Sequence, residues 1–161
     1  MMATEKNKGA SFSVGRSINR MKLVVPSLSV NESFVRSVVA AFCAQADPTA
    51  SILADVKCAV SEAVTNCIVH AYRDTVGQIY IDAELCDDNV LKLRIRDRGC
   101  GIENLAMAKT PLYTTDKEGE RSGMGFTVME SFMDKMCVRS SVGRGTTVLL
   151  YKRLKGRDAD T

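Results

Sequence analysis

The stretch SEAVTNCIVH at residues 61–70 ends a long amphipathic segment around which the rest of the chain is organised. Apolar residues recur there at steps of three and four, which predicts a helix with one apolar stripe. The stripe comprises Ile52, Leu53, Val56, Ala59, Val60, Ala63, Val64, Cys67, Ile68 and Ala71. Glu62 and Asn66 lie on the opposite face, one turn apart. Together they could accept a proton and coordinate a hard cation at one ligand, although a solvated helix face is the simpler interpretation.

Length and composition predict one globular domain. The chain has 161 residues, of which 45% are hydrophobic, and a formal net charge of +3. Its basic residues are scattered, so we expect no direct contact with nucleic acid. No apolar run approaches the roughly 18 residues of a membrane span, and the first twenty residues lack a signal-peptide core. We therefore expect a soluble protein that is not secreted.

The six cysteines include no C-x-x-C pair, and several lie within apolar runs. This pattern is typical of reduced thiols that act as small hydrophobic side chains. It predicts a reducing cytoplasm as the compartment, with a set of disulfides as the alternative.

The two ends of the chain are polar and lack periodicity. We expect residues 1–20 to be a disordered extension, residues 21–153 to form the domain and residues 154–161 to be a polar tail. A short strand is predicted at residues 23–25, so Met21 could be the true start of translation. The intact mass of the natively expressed protein would decide this.

The first helix is predicted to begin at Ser29, because Ser29 and Glu32 have capping-box spacing. Its core positions are predicted to be Phe34, Val35, Val38, Ala41 and Phe42, with Glu32, Arg36, Ala40 and Cys43 on the opposite face. Pro48 follows the expected end of the helix. The Glu32–Arg36 pair is either an ordinary i,i+4 salt bridge or part of a face that docks a partner.

A hairpin with one buried face is predicted downstream, its acidic strand paired with its basic one. The inward series is Ile79, Ile81, Ala83 and Leu85, followed after a turn by Leu91, Leu93 and Ile95. Asp97 continues this series and therefore points inward, where an unpaired carboxylate would be costly. It either caps the following turn or is an acceptor at the floor of a ligand pocket.

Two glycine pairs flank a long polar loop. Gly99 and Gly101 allow a sharp turn and a close approach to a ligand. Gly123 and Gly125 open a helix with apolar positions Phe126, Met129, Phe132, Met133 and Met136, and backbone N–H groups there form a natural phosphate site. A flexible helix start would look similar. A second hairpin is predicted around residues 143–145.

Two hairpins and three main helices predict a two-layer α/β sandwich, with helices on one face of a mixed, mainly antiparallel sheet. The order of the motifs resembles the GHKL nucleotide-binding superfamily of gyrase, Hsp90, MutL and sensor histidine kinases, whose ATP-binding fold is named after Bergerat. The residues of these motifs are most similar to those of the anti-sigma-F factor family of spore-forming bacteria. The similar segments are NESF (31–34), DPT (47–49), SEAVTN (61–66), PLYTT (111–115), ERSGMGF (120–126) and GTTV (145–148), within a resemblance that covers about residues 21–152.

The resemblance implies a role for each site residue. Glu62 would be the general base, Asn66 the Mg²⁺ ligand and Asp97 the acceptor of the adenine amino group of ATP. Gly99 and Gly101 would shape the adenine pocket and Thr146 its wall, residues 105–122 would be a lid, and Arg121 would reach the terminal phosphate. Further nucleotide contacts are implied for Ile102, Thr114, Thr115, Ser122, Gly123, Met124 and Gly125. Glu32 and Arg36 match the partner-binding helix face.

The implied activity is that of an anti-sigma factor and serine-protein kinase. Such a protein holds sigma factor F away from RNA polymerase, uses ATP to phosphorylate a serine of an anti-anti-sigma factor, and forms a homodimer. A general-stress anti-sigma kinase and a sigma-sequestering module without kinase activity are the alternatives. A histidine kinase is disfavoured, because the single histidine, His70, ends the central helix.

Overall fold

The computed structural model describes residues 12–110 and 125–155. The strands are β1 (Ser17–Pro26), β2 (Gln78–Cys86), β3 (Val90–Arg96), β4 (Lys135–Ser141) and β5 (Gly145–Arg153). The helices are α1 (Val30–Cys43), α2 (Ala50–Asn66), α3 (Leu105–Ala108) and α4 (Gly125–Phe132). A 3₁₀ turn, Ala44–Ala46, follows α1, and a π-helical turn, Cys67–Ala71, extends α2.

The five strands form one sheet in the order β1-β2-β3-β5-β4. The predicted two-layer α/β architecture is confirmed. Each neighbouring pair is antiparallel, so the described strands contain no parallel pair that would make the sheet mixed. Both predicted hairpins form, β2 with β3 and β4 with β5.

The hairpin of β2 and β3 has one buried and one charged face, as its alternation predicted. Ile81 and Leu93 are almost fully buried in the core between sheet and helices. On the open face, Asp82 Oδ2 accepts a 2.6 Å contact from Arg94 Nη2, and Glu84 lies 3.5 Å from Arg20. The acidic strand therefore pairs with its basic neighbours across the exposed face, as expected.

Helix α2 is the central helix of the second layer and packs against both α1 and α4. It begins at Thr49, whose Oγ1 accepts a 3.2 Å hydrogen bond from the N–H of Ile52. Its predicted stripe is confirmed, with Val56, Ala59, Val60, Ala63 and Val64 buried. The sequence pattern did not predict the π-helical turn that follows it.

The predicted stripe of α1 is wrong in part. Val35 and Phe42 are buried as expected, but the other buried residues are Val39, Ala40 and Cys43, of which the last two were assigned to the opposite face. Phe34 is 49% exposed, and Ala41 is exposed as well. Because α1 is apolar over most of its circumference, several stripes satisfy helical spacing, and packing against α2 selects one of them.

The predicted capping box of α1 does not form. Ser29 adopts a helical backbone conformation and its side chain makes no capping hydrogen bond. The Glu32 carboxylate instead accepts a hydrogen bond from Arg36 Nη1 at 3.1 Å. An ion pair with Arg36 thus replaces the local contact that the spacing suggested.

The domain extends beyond the predicted limits of 21–153 at both ends. Strand β1 begins at Ser17, and the N–H of Gly15 donates to Asp88 Oδ2 at 2.8 Å, so residues 12–20 are not a disordered extension. Residues 1–11 lie outside the described residues. Leu154 is fully buried, and its N–H donates to the carbonyl of Asn89 at 2.8 Å. Backbone hydrogen bonding and burial therefore carry the fold into both predicted tails.

Helix α4 is shorter than its apolar pattern suggested. It ends at Phe132, and Met136 belongs to β4.

None of the described helices is long and apolar enough to cross a membrane. All six cysteines lie within the described ranges, and none of them forms a disulfide.

Candidate functional site

Asp97 lies immediately after β3 and joins it to β5. Its side chain is only 5% exposed, which confirms that it points inward. Its Oδ1 accepts hydrogen bonds from the backbone N–H groups of Gly99 at 2.9 Å and Thr146 at 3.2 Å. In return, the N–H of Asp97 donates to the carbonyl of Thr146 at 2.9 Å. One oxygen of Asp97 therefore caps the following turn, and its role as an acceptor in a ligand pocket stays a prediction.

Burial raises the pKa of Asp97 above its ordinary value, and the hydrogen bonds from Gly99, Thr146 and Cys67 oppose that shift. The side chain is thus an acceptor held in a largely water-free position. Such a group is suited to a ligand that donates a hydrogen bond, for example an amino group.

Gly99 follows Asp97 at a close approach to the π-helical turn. A Cβ on Gly99 would lie 2.3 Å from the carbonyl oxygen of Ala71, and the N–H of Cys100 donates to that oxygen at 3.1 Å. Gly101 has φ of +74°, and a Cβ there would meet the carbonyl of Ser141 at 2.2 Å. These two glycines are therefore required by backbone contacts that a side chain would block.

Ser140 of β4 joins the loop after Asp97 to β5. Its Oγ accepts a 2.8 Å hydrogen bond from the N–H of Ile102 and lies 2.8 Å from Thr146 Oγ1. Ser140 was not among the predicted site residues. Alternation along β4 indicates the face of the sheet on which its side chain lies, but not the residues that it contacts. The structure thus brings Asp97, Gly99, Ile102 and Thr146 into one wall, with Ser140 as the link.

Glu62 and Asn66 meet the start of α4. A Cβ on Gly125 would lie 3.2 Å from Glu62 Oε2 and 3.3 Å from Asn66 Oδ1. The glycine-rich helix start and the two polar side chains of α2 therefore share one small space that a larger residue would fill. A single amide oxygen fits Mg²⁺, which in phosphate sites binds few protein ligands together with water and phosphate oxygens.

The two parts of the site lie along one continuous helical segment. Glu62 and Asn66 are on the last turn of α2, and Cys67, the next residue, contacts Asp97 from the start of the π-helical turn. Such turns are frequent at functional sites. The segment therefore carries polar groups to α4 at one end and to the Asp97 wall at the other.

Arg36 connects α1 to this segment. Its Nη1 donates to Glu32 Oε1 at 3.1 Å and to the Oγ of Ser61 at 3.2 Å, and Ser61 directly precedes Glu62. The predicted i,i+4 pair is present, but its arginine also reaches α2. Ser61 is a second residue that the sequence analysis missed, since nothing in the spacing of α1 indicates its contact.

Several predicted site residues lie outside the described residues. They are Thr114, Thr115, Arg121, Ser122, Gly123 and Met124, together with residues 111–122 of the expected lid. Their roles remain predictions.

Gly145 gives a stability test of the Asp97 wall. It has φ of +103°, and a Cβ would lie 2.2 Å from the carbonyl oxygen of Asp97. We expect Gly145→Ala to lower the free energy of unfolding by about 3 kcal/mol, from backbone strain and this clash together.

Gly143→Ala is the matched control, because Gly143 has φ of +76° but nothing within 4 Å of a Cβ. It should cost about 1 kcal/mol from strain alone. Denaturant unfolding of both variants measures the difference, and equal losses would contradict the clash.

Comparison with known proteins agrees with this architecture. A family model described as a histidine kinase-like ATPase domain matches residues 25–152. The chain is 51% identical over 142 residues to an anti-sigma F factor of Priestia megaterium, covering 88% of this chain and 97% of that one. It is 54% identical over 134 residues to an anti-sigma F factor of Caldanaerobacter subterraneus subsp. tengcongensis, covering 83% of this chain and 93% of that one.

Solved structures are similar as well. The RsbU and RsbW domains of a Mycobacterium tuberculosis protein match with a TM-score of 0.61 and 25% identity, covering 84% of this chain and 32% of that longer one. A histidine kinase domain from Erythrobacter litoralis shares the fold, with a TM-score of 0.53 at 17% identity over 76% of this chain and 61% of that one.

The fold and the arrangement of the site therefore define a histidine kinase-like ATPase domain, and the chain belongs to that family. Within it, the identity to relatives over almost their full length places the chain in the anti-sigma F factor family. The resemblance drawn from the sequence motifs is confirmed.

Proposed function

We propose that this protein is an anti-sigma factor that is also an ATP-dependent serine-protein kinase. It would bind sigma factor F, block its association with RNA polymerase, and release it after an exchange of partners. The observation that carries the proposal is the position of Gly125 against Glu62 and Asn66. It puts the proposed phosphate site at the start of α4 beside the proposed base, Glu62, and the proposed cation ligand, Asn66. The identity of about half of the residues to anti-sigma F factors supports the same proposal.

The site divides the recognition of ATP between two regions. The adenine amino group would donate to Asp97, within the wall of Gly99, Gly101, Ile102 and Thr146, and the triphosphate would lie at the start of α4. When bound, Mg²⁺ supplies charge neutralisation of the phosphates, and Asn66 would hold it. Phosphoryl transfer depends mainly on such positioning and charge stabilisation.

Glu62 would act on the attacking group. Its carboxylate lies beside Gly125 at the start of α4 and would take the proton of a serine hydroxyl as the oxygen attacks. Arg121, which lies outside the described residues, would contribute positive charge to the terminal phosphate. The phosphorylated serine then carries about −1.5 to −2 charges, enough to weaken docking of the anti-anti-sigma factor.

The partner face would include Glu32 and Arg36. The pair is partly exposed, with side-chain exposures of 24% for Glu32 and 39% for Arg36. Arginine side chains are enriched at protein interfaces. Because Arg36 touches Ser61 beside Glu62, a protein bound here would lie next to the base.

Replacement of Arg36 tests this face. We expect Arg36→Ala to weaken binding of both sigma factor F and the anti-anti-sigma factor by at least about tenfold, as for an arginine at the centre of an interface. ATP affinity should stay within about twofold, because the loss of a partly exposed ion pair costs little stability. Calorimetric titration with each purified partner measures these effects.

Arg94→Ala is the matched control, since Arg94 also pairs with a carboxylate but on the open face of the sheet. It should bind both partners normally. Normal binding by Arg36→Ala would place the partner face elsewhere. Capture from sporulating cells with ATP present, read by mass spectrometry, would distinguish sigma factor F from a general-stress sigma factor.

The same proposal implies a homodimer in the cytoplasm, formed through β1 and α1. Strand β1 is an edge of the sheet and exposes Ile18 and Val24. An edge strand with exposed apolar residues is suited to pairing with a second copy. Sedimentation of the purified protein would give its mass in solution.

A further inference from the structure

The two oxygens of Asp97 have different partners. Oδ1 accepts the N–H groups of Gly99 and Thr146, at 2.9 and 3.2 Å. Oδ2 is contacted by the thiol of Cys67 at a sulfur–oxygen distance of 3.6 Å, the one hydrogen bond to this oxygen among the described residues. Oδ2 is therefore the oxygen with capacity left for a ligand.

Cys67 is built into this position. It is 4% exposed and is the first residue of the π-helical turn, directly after Asn66. Burial raises the pKa of the Cys67 thiol well above its ordinary value, and the neighbouring charge of Asp97 raises it further. The 3.6 Å contact places the hydrogen of this thiol on the carboxylate oxygen, so Cys67 is the donor.

A thiol is a weak donor, and this matters for the oxygen it contacts. A buried carboxylate oxygen without any donor would be costly, whereas a strong donor would compete with a ligand for it. A thiol supports Oδ2 and leaves a lone pair for a second donor. Two backbone N–H groups already hold Oδ1. A further contact at Oδ2 therefore fixes the plane of the carboxylate.

We propose that Cys67 is a positioning residue for base recognition, whose thiol holds Asp97 Oδ2 in the orientation that accepts the amino group of adenine. This inference rests on the proposed function, since it assumes that the Asp97 wall binds the base of ATP. It predicts an effect confined to ligands that carry the amino group. A residue that only fills space in the core would affect every nucleotide alike.

The test compares ATP with purine riboside triphosphate, which lacks the amino group, in the presence of Mg²⁺. We expect Cys67→Ala to weaken ATP binding about fivefold, the loss of a weak hydrogen bond to a charged group. Its affinity for purine riboside triphosphate should stay within about twofold. Cys67→Ser retains a donor and should restore ATP affinity to within about twofold of wild type. Calorimetry with the full chain gives all six affinities.

Cys43→Ala is the matched control. Cys43 is a fully buried thiol of α1, and burial alone raises its pKa to about 12, with no contribution from Asp97. This variant removes the same atom from the core and should leave the ratio of the two affinities unchanged. It separates loss of packing from loss of the contact with Asp97.

The outcomes distinguish this inference from the function on which it rests. A changed ratio in Cys67→Ala with rescue by Cys67→Ser supports it. The inference would be overturned if Cys67→Ala weakened the binding of both nucleotides equally, if the ratio of their affinities did not change, or if Cys67→Ser failed to restore ATP affinity. None of these outcomes would contradict the proposed ATP site. A wild-type protein that binds ATP no better than purine riboside triphosphate would overturn the assignment of Asp97 and the role of Cys67 together.

Discussion

Glu62→Ala is expected to abolish phosphoryl transfer to the anti-anti-sigma factor while ATP remains bound. Glu62 lies beside the start of α4, where a Cβ on Gly125 would be 3.2 Å from its Oε2. Removal of a general base typically lowers the rate 10²- to 10⁴-fold, so we expect a loss of about 10³-fold. Transfer of radiolabelled phosphate from ATP to the purified partner measures the rate.

The control for Glu62 is Glu130→Ala, which removes an exposed carboxylate from α4. It should phosphorylate the partner at the wild-type rate. ATP affinity, measured by calorimetry, should be unchanged in both variants, which separates catalysis from binding. An undiminished rate in Glu62→Ala would exclude Glu62 as the base and leave the anti-sigma role of the protein to be judged from partner binding alone.

Asp97→Asn is expected to lower ATP affinity about 100-fold, through the loss of a charge-assisted hydrogen bond and the opposition of two donors. The backbone donors of Gly99 and Thr146 require an acceptor at Oδ1, so the new amide nitrogen must take the place of Oδ2. There it would face the adenine amino group. Inosine triphosphate, which has a carbonyl in place of the amino group, should be disfavoured less or even preferred.

The same substitution should change how the stability of the fold depends on pH. Burial raises the pKa of Asp97 above 3.8, so the ionised carboxylate costs the folded state stability at pH values above the raised pKa. Asparagine removes that cost. The stability of the wild type relative to Asp97→Asn should therefore rise as pH falls through the raised pKa towards 3.8. Thermal unfolding of both proteins over this pH range measures the difference in stability. In the binding experiment, an unaltered ATP affinity of Asp97→Asn would contradict the assignment of Asp97 to adenine.

The parts of the site that were predictable share one property, which is that short-range patterns encode them. Alternation along β3 indicated that Asp97 points inward, because successive side chains of a strand point to opposite faces. Helical spacing placed Glu62 and Asn66 one turn apart on α2. The flanking glycines marked close approaches, and the structure shows that those of Gly99 and Gly101 are to Ala71 and Ser141.

Helix α1 shows where such patterns are insufficient. Phe34 was assigned to the core and is exposed, while Cys43 was assigned to the surface and is buried. Burial of one face depends on the elements that pack against it, and a helix with apolar residues on several sides offers more than one solution.

The sequence by itself determined the periodicity of the strands and of α2, and hence a two-layer fold with an inward carboxylate and a polar pair on the central helix. Only the tertiary structure decided which groups meet across the chain. The thiol of Cys67 meets Asp97, 30 residues away, and Arg36 meets Ser61, 25 residues away. Periodicity follows from backbone geometry within a few residues, whereas these contacts exist only once sheet and helices have packed.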